Sequence, residues 1–343
     1  MSITARDVAR EANVSPATVS LVLRGKPGVG QETRERVLEC AKKLGFEYTS
    51  SPEKRPTSTI LLVVYKRHGR VVGDTPFFEE LIKGVSDATY RHGYHRLSVS
   101  YFYATESRTE QLKAIRSIKC AGIILLATEA LAGDIAQFER LGVPVVLLDS
   151  WFPSKRLDSI VIDNSRASFE AVHYLAKAGH KRIGYLHAGV NIRNFLERQS
   201  GFMSAMREIE PDEAANAHIV RVGSTVQSAY DDMCAYLDTN PELCTAYFAD
   251  NDIVAVGCMK ALAEHGVRMP EEVSIIGFDD TSYCELVTPR LSTMVVPKSA
   301  MGELAVKRLV ELIRGETQGE VIRTAVLPTV VERDSVARKE DSK

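Results

Sequence analysis

Four polar residues stand just past short apolar runs: Asp149 after Val145–Leu148, Asn251 and Asp252 after Ala246–Phe248, and Asp279 after Ile275-Ile276-Gly277. If each run is a β-strand, these carboxylates and amides gather at strand ends, where they can accept from and donate to vicinal hydroxyl groups. Arg198, in Arg198-Gln199-Ser200-Gly201-Phe202, adds a rigid five-donor fork at the entry of a helix. Trp151, the only tryptophan, lies two residues beyond Asp149 and offers a face for stacking a ring, or a packing surface. Phe77 and Phe78 follow Thr75-Pro76 and either line a cleft or start a helix with a core contact. Asp252 and Asp280 are also placed to cap the helices after them. This chemistry is recognition of a hydroxyl-rich small molecule.

Catalytic and metal chemistry find less support. Gly25–Gly30 is followed by Gln31-Glu32, where a phosphate loop needs Lys-Ser/Thr, and no strand precedes it. No Gly-x-Ser-x-Gly elbow occurs. Asp279 and Asp280 are neighbours whose side chains diverge, which makes a poor acid/base pair. His92 and His95 flank a turn without a third ligand, and His180 reads as a polar loop residue, so no metal and no cofactor are expected.

The elements that position the polar residues are legible as alternation. Strands are expected at Ile60–Tyr65, Leu97–Tyr103, Gly122–Leu126, Val145–Leu148, Ser159–Ile162, Arg182–Leu186, Ala246–Phe248 and Val273–Gly277. Helices are expected at Phe77–His92, Thr109–Ile118, Ala130–Leu141, Ser165–Ala178, Gln199–Ile209, Ser228–Leu237, Asp252–His265 and Ala300–Arg314. Such βαβ alternation builds parallel sheets covered on both faces. The pattern runs twice, over Ile60–Asp149 and Arg182–Asp279, so two doubly wound lobes are expected with a ligand cleft between them.

The first 48 residues read differently. Thr4 with Asp7 three residues on is a capping-box-like start for a helix with Val8, Ala9 and Ala12 inward. Ala12-Asn13-Val14 breaks it, and Ser15-Pro16 opens a second helix. Val19, Val22 and Leu23 face inward there, while Pro16, Ala17, Thr18 and Leu21 face outward with Ser20 and Arg24 beside them. A third helix, Gln31–Leu44, adds Val37, Leu38, Ala41 and Leu44 to a small core and stops at Gly45. A three-helix bundle of this shape needs no partner. Charge favours one: residues 1–56 hold ten Lys/Arg against seven Asp/Glu, a balance of +3 in a chain of net −2.

The wording of that segment is specific. Thr4-Ala5-Arg6-Asp7-Val8-Ala9, Ala12 to Ser20 and Thr33-Arg34-Glu35-Arg36-Val37 together resemble the N-terminal head of the lactose-repressor (LacI) family. The likeness continues through Val161–Asn164, His173-Tyr174-Leu175, Gly179 to Gly184, Asn251-Asp252 and Gly277 to Asp280, and so covers nearly the whole chain. It implies a helix-turn-helix head on a periplasmic-binding-protein-like effector region, acting as a homodimer on double-stranded operator DNA. By position, it places Pro16, Ala17 and Leu21 on bases and Ser15, Thr18, Arg24 and Thr33 on phosphates. On the same resemblance Asp149, Arg198, Asn251 and Asp279 fall on effector-binding positions, and Phe77, Phe78, Trp151 and Phe248 are expected beside them.

Two features depart from the family pattern. Leu21 stands where a polar side chain is usual; it cannot hydrogen-bond guanine and suits apolar contact with a thymine methyl. Thr49–Thr59 reads TSSPEKRPTST, with two prolines and no leucine, so the family's minor-groove hinge helix is not expected and the operator should be bent less.

The expected organisation is a head at 1–48, a linker at 49–59 that is not a regular helix, and a two-lobed region at 60–343. The N-lobe takes about 60–161 and 292–320, the C-lobe about 163–290 and 321–335. Six cysteines without C-x-x-C spacing, no leader-like opening segment and no run of 18 apolar residues suit a reduced, cytoplasmic protein. The expected function is a ligand-responsive transcriptional repressor. The rivals are a solute-binding receptor without a DNA role, and a carbohydrate-active enzyme.

Overall fold

Runs of Val, Ile and Leu too short for helices can be buried on both faces only inside a covered parallel sheet, and that is where the chain puts them. The computed structural model describes residues 4–23, 29–44, 46, 59–73, 75–211 and 218–339. The chain divides into two units, Met1–Thr57 and Ser58–Lys343.

In the first unit, α1 (Ala5–Glu11), α2 (Pro16–Leu23) and α3 (Gln31–Lys43) close on Val8, Ala9, Ala12, Val19, Val22, Val37 and Ala41. Asp7 Oδ2 accepts from the Thr4 backbone N–H at 2.9 Å and from its hydroxyl at 2.6 Å, fixing the start of α1. Asn13 turns the chain at φ +52°, a left-handed position that Asn tolerates. Ser15 Oγ then accepts the Thr18 N–H at 3.0 Å and caps α2. One core expectation fails: Leu38 is 48% exposed, because Val37 and Ala41 already fill the inward stripe of α3.

In the second unit, β1 (Thr59–Lys66), β2 (Arg96–Tyr103), β3 (Gly122–Leu126), β4 (Val145–Leu148), β5 (Asp158–Ile162) and β11 (Arg323–Val326) form an all-parallel sheet in the order β11-β5-β4-β3-β1-β2. The second sheet holds β6 (Ile183–Ala188), β7 (Ile219–Val222), β8 (Ala246–Ala249), β9 (Ser274–Asp279), β10 (Ser292–Val295) and β12 (Thr329–Val331) in the order β12-β10-β9-β8-β6-β7. Only β12 runs antiparallel to its neighbour. Helices α4 (Phe77–Arg91), α5 (Arg108–Ser117), α6 (Ala132–Glu139) and α12 (Lys298–Arg314) accompany the first sheet. The second has α7 (Asn164–Lys177), α8 (Arg193–Ile209), α9 (Val226–Leu237), α10 (Asp252–Glu264) and the short α11 (Tyr283–Leu286). Glycines allow α4 and α12 to touch backbone to backbone: a Cβ on Gly302 would sit 2.5 Å from Val85 N.

Three expectations about boundaries need correction. Ser292–Val295 pairs with β9, so it belongs to the second lobe and the return to the first begins near Lys298. Arg323–Val326 pairs with β5, so the final crossing follows Val326 instead of preceding residue 321. Strands pair wherever a sheet edge satisfies their N–H and C=O groups, and these short segments carry no signal of which edge that is. Helix α8 starts at Arg193, six residues before its expected start, with Phe195 extending its buried stripe. In the linker, Thr59 is already strand; residues 49–58, with Arg24 and Gly45, lie outside the described residues.

Candidate functional site

Strand ends from both lobes converge on one cleft. It is lined by Val71, Thr75, Phe77, Phe78, Thr128, Asp149, Ile192, Asn194, Phe195, Arg198, Asn251 and Asp279, around about 290 Å³ of space. Only about 20 Å³ of that space admits the centre of a water molecule, well below the ~300–1,000 Å³ usual for small-molecule pockets.

The first lobe contributes three strand ends. After β1, the turn carrying Val71 is tied down by Glu129, whose buried carboxylate accepts the N–H groups of Arg67, His68 and Gly69 at 2.8, 3.1 and 2.9 Å and of Val71 and Val72 at 3.0 Å each. Burial alone would push this acid up, yet the ring of backbone donors holds it below its ordinary value. After β3 comes Thr128. After β4, Asp149 turns with φ +62°, an unusual backbone for a residue with a Cβ, and accepts from Thr128 Oγ1 at 2.6 Å and Asn194 Nδ2 at 3.0 Å. Burial raises its pKa to about 6, against the opposing effect of those hydrogen bonds and the Arg198 charge.

The second lobe answers with α8 and two strand ends. Arg198 is buried within α8, its Nε donating to Asn164 Oδ1 at 2.9 Å and Nη2 to Asp279 Oδ1 at 3.3 Å, while Nη1 donates to the Asp250 carbonyl. Its guanidinium lies 3.7 Å from the Phe278 ring centroid. Asp279 ends β9 at φ +109°, and burial lifts its pKa to about 7 although Arg198 opposes the shift. Lys298 holds this turn from behind, donating to the Asp279 and Asp280 carbonyls at 2.9 and 2.8 Å. Asn251 caps α10, its Oδ1 accepting the Val254 N–H at 3.0 Å. Asp252 is not the cap; it is buried and accepts from Thr293 Oγ1 at 2.6 Å and Thr281 N at 2.7 Å. Asp280 caps nothing, its carboxylate being paired with Arg333 at 2.8 Å.

Six of the eight residues expected at an effector site therefore meet: Phe77, Phe78, Asp149, Arg198, Asn251 and Asp279. The two phenylalanines pack edge to face with centroids 5.1 Å apart. Trp151 does not line the cleft. Arg193 and Arg323 each lie 3.9 Å from its ring centroid, and its Nε1 donates to Glu197 Oε1 at 2.9 Å, so its polar atom and its ring are engaged. Phe248 is core, between Tyr185 at 5.3 Å and Phe278 at 6.5 Å. Its strand position put it near the site, but alternation turns it inward.

Thr128 and Asn194 were missed, and the strand-end rule, applied to Gly122–Leu126, would have found the first. Val71, Thr75, Ile192 and Phe195 carry no sequence signal that separates them from core. Among the described residues, no group of three or more His, Cys, Asp or Glu is arranged to hold a metal ion. No helix among them is long and apolar enough to cross a membrane.

On the head, Pro16, Ala17 and Leu21 are exposed on one side of α2, opposite buried Val19 and Val22. The hydroxyls of Ser15 and Thr18 lie 2.8 Å apart, and Thr33 is half-buried in the first turn of α3.

A helix-turn-helix unit followed by a two-lobed parallel α/β unit with a polar cleft defines a DNA-binding regulator on a periplasmic-binding-protein-like body. Residues 4–48 match the model of the bacterial regulatory proteins of the lacI family, and residues 172–336 match a periplasmic binding protein-like domain. The chain is 30% identical over 324 residues to the transcriptional repressor CytR of Escherichia coli K12, covering 92% of this chain and 91% of that protein. It is 29% identical over 343 residues to the ribose operon repressor of Haemophilus influenzae, covering 97% and 98%. Among solved structures it matches a complex of the transcriptional regulator CelR with cellobiose, at a TM-score of 0.71 and 27% identity, covering 97% and 99%. The chain belongs to the LacI family of bacterial regulatory proteins. It is a transcription regulator and not an enzyme.

Proposed function

We propose that this protein is a cytoplasmic repressor that binds a palindromic operator as a homodimer and senses a sugar-like effector between its lobes. The head, residues 1–48, places α2 in the major groove, with Pro16, Ala17 and Leu21 on base edges and Ser15, Thr18, Arg24 and Thr33 on phosphates. Residues 49–59 link it to the two-lobed effector and dimerisation region.

The observation that carries the reading is the meeting of Asp149 from one lobe with Arg198, Asn251 and Asp279 from the other in a single cleft. A ligand bridging those groups binds one lobe arrangement more tightly than another. That difference, typically ~1–3 kcal/mol, is all the work available to shift the dimer between arrangements that hold two heads at operator spacing and those that do not. The relatives support the ligand class: one is a ribose operon repressor, and a solved one holds cellobiose.

Calorimetry with ribose, cellobiose and related sugars, paired with operator gel shifts, tests both halves. Ligand binding that survives deletion of residues 1–58 while DNA binding disappears is the expected result. DNA binding by the truncated protein would refute the role given to the head.

A further inference from the structure

Just past β3, two consecutive polar residues reach in opposite directions. Thr128 lines the cleft and donates to Asp149 at the end of β4. Glu129 is not among the residues lining the cleft; it turns to the end of β1 and is fully buried there. Since β4 and β1 are the two neighbours of β3 in the sheet, one dipeptide fastens both adjoining strand ends.

The segment that Glu129 holds is the turn from Arg67 to Val72. Its Oε2 accepts the N–H groups of Arg67, His68 and Gly69, and its Oε1 those of Val71 and Val72. The remaining amide, of Arg70, donates to His68 Nδ1 at 3.1 Å. Every backbone donor of the turn is thus engaged without a helix or a strand partner. Arg67 adds a second tether: its side chain pairs with Asp134, whose carboxylate also accepts the Leu131 N–H at 2.8 Å at the start of α6. Only an ionised acid fits the ring of donors, because an amide would turn N–H groups of its own towards it. Val71 and Val72 are buried, so without the carboxylate their N–H groups have no water to turn to. The turn in turn meets both the cleft and the other lobe. Val71 lines the cleft, and the Arg70 carbonyl lies 3.4 Å from Ser224 Oγ, just before α9.

We propose that Glu129 is a positioning residue of the effector site: it locks residues 67–72 into a preformed lip that carries Val71 to the cleft and the Arg70 carbonyl to Ser224. The lip moves with its lobe as one body and does not fold over the ligand as a loop. Glu129 touches no ligand and acts through Val71 and Arg70. Holding the wall in its bound shape before the ligand arrives spares the ordering cost at binding. This rests on the cleft being the effector site.

The test follows amide hydrogen exchange and ligand binding in the full-length protein. Without any ligand, the wild-type amides of residues 67–72 should exchange roughly 100-fold more slowly than in an unstructured peptide. Exchange at the unstructured rate overturns the proposal before any variant is made. Glu129→Gln should speed exchange at these amides about tenfold, while β2 and β6 keep their wild-type rates. Both proteins are then titrated by calorimetry with ribose, cellobiose and adenosine, well below their melting temperatures. The probe that wild type binds should bind about tenfold more weakly to the variant. With nearly every chain folded, a loss of stability alone leaves that affinity unchanged. Unchanged exchange in the variant overturns the lock, and faster exchange with unchanged affinity overturns the positioning role. Should Glu129→Gln not fold, Glu129→Asp, which keeps the charge but draws it back by one methylene, is read in the same way. Failure of all three probes to bind wild type counts against the cleft as the effector site, and the exchange rates then decide the lip by themselves.

Discussion

Asp279→Asn should make the protein more stable while it weakens effector binding, and the gain should depend on pH. Asp279 is 7% exposed, and its carboxyl titrates at about 7 in the folded chain against 3.8 in an ordinary environment. At roughly 1.4 kcal/mol per tenfold change in proton affinity, the shift costs about 4 kcal/mol of stability at pH 8, where the folded carboxyl is ionised, and about 1–2 kcal/mol at pH 5, where the folded chain holds a proton that the unfolded chain has lost. The sign follows from proton binding. Between 3.8 and about 7 the unfolded chain has lost this proton and the folded chain has kept it, so wild-type stability falls as pH rises and levels off above 7. Asparagine stands in for the protonated acid and has no such slope. The gap between variant and wild type should therefore widen by about 2–3 kcal/mol from pH 5 to pH 8, on the order of 5 °C in Tm for a chain of this size. Any constant cost of seating an amide beside Arg198 cancels in that difference. Thermal melts of both proteins at pH 5, 6.5 and 8 measure it. A gap that does not change with pH, or one that shrinks as pH rises, would refute the argument that burial dominates at this position.

Arg198→Ala should abolish the response to effector while the protein still binds operator. A charge-assisted hydrogen bond is worth roughly 1.5–3 kcal/mol, so calorimetry should show at least a tenfold loss; unchanged affinity counts against the assignment. Thr18→Ala should weaken binding to every DNA sequence alike and flatten the salt dependence, whereas loss at a single base position in a binding-site selection would give Thr18 a base-reading role. Ser15→Ala removes the acceptor for the Thr18 N–H and should destabilise the head by about 1 kcal/mol, seen as earlier melting of α2 in hydrogen exchange. Trp151 sits between Arg193 on α8 and Arg323 on β11, so lobe movement on effector binding should alter its emission; a spectrum unchanged at saturating effector would show that the stack does not move.

Much of this was legible in the sequence for local reasons. Thr4, Asp7, Ser15 and Pro16 announce helix starts because capping depends only on residues three apart, and the structure makes those hydrogen bonds. Apolar runs such as Gly122–Leu126 announce buried strands because a run buried on both faces has few other places to go. The strand-end rule then located Asp149, Asn251 and Asp279, since strand polarity fixes where each chain end emerges. Family wording located Arg198.

The tertiary structure alone decided the rest. Which sheet Ser292–Val295 and Arg323–Val326 join is set by free edges formed by distant strands, not by the segments themselves. Trp151 and Phe248 occupy positions next to the site in sequence, yet guanidinium groups from residues 193 and 323 take the faces of one, and the aromatic core takes the other. Thr128 and Asn194 matter only because folding brings them to both oxygens of Asp149. The sequence by itself determined the residue types and the strand ends that present them. Only the packed lobes decided which donors and acceptors were already engaged, because a hydrogen bond between residues 45 or 81 positions apart leaves no local mark.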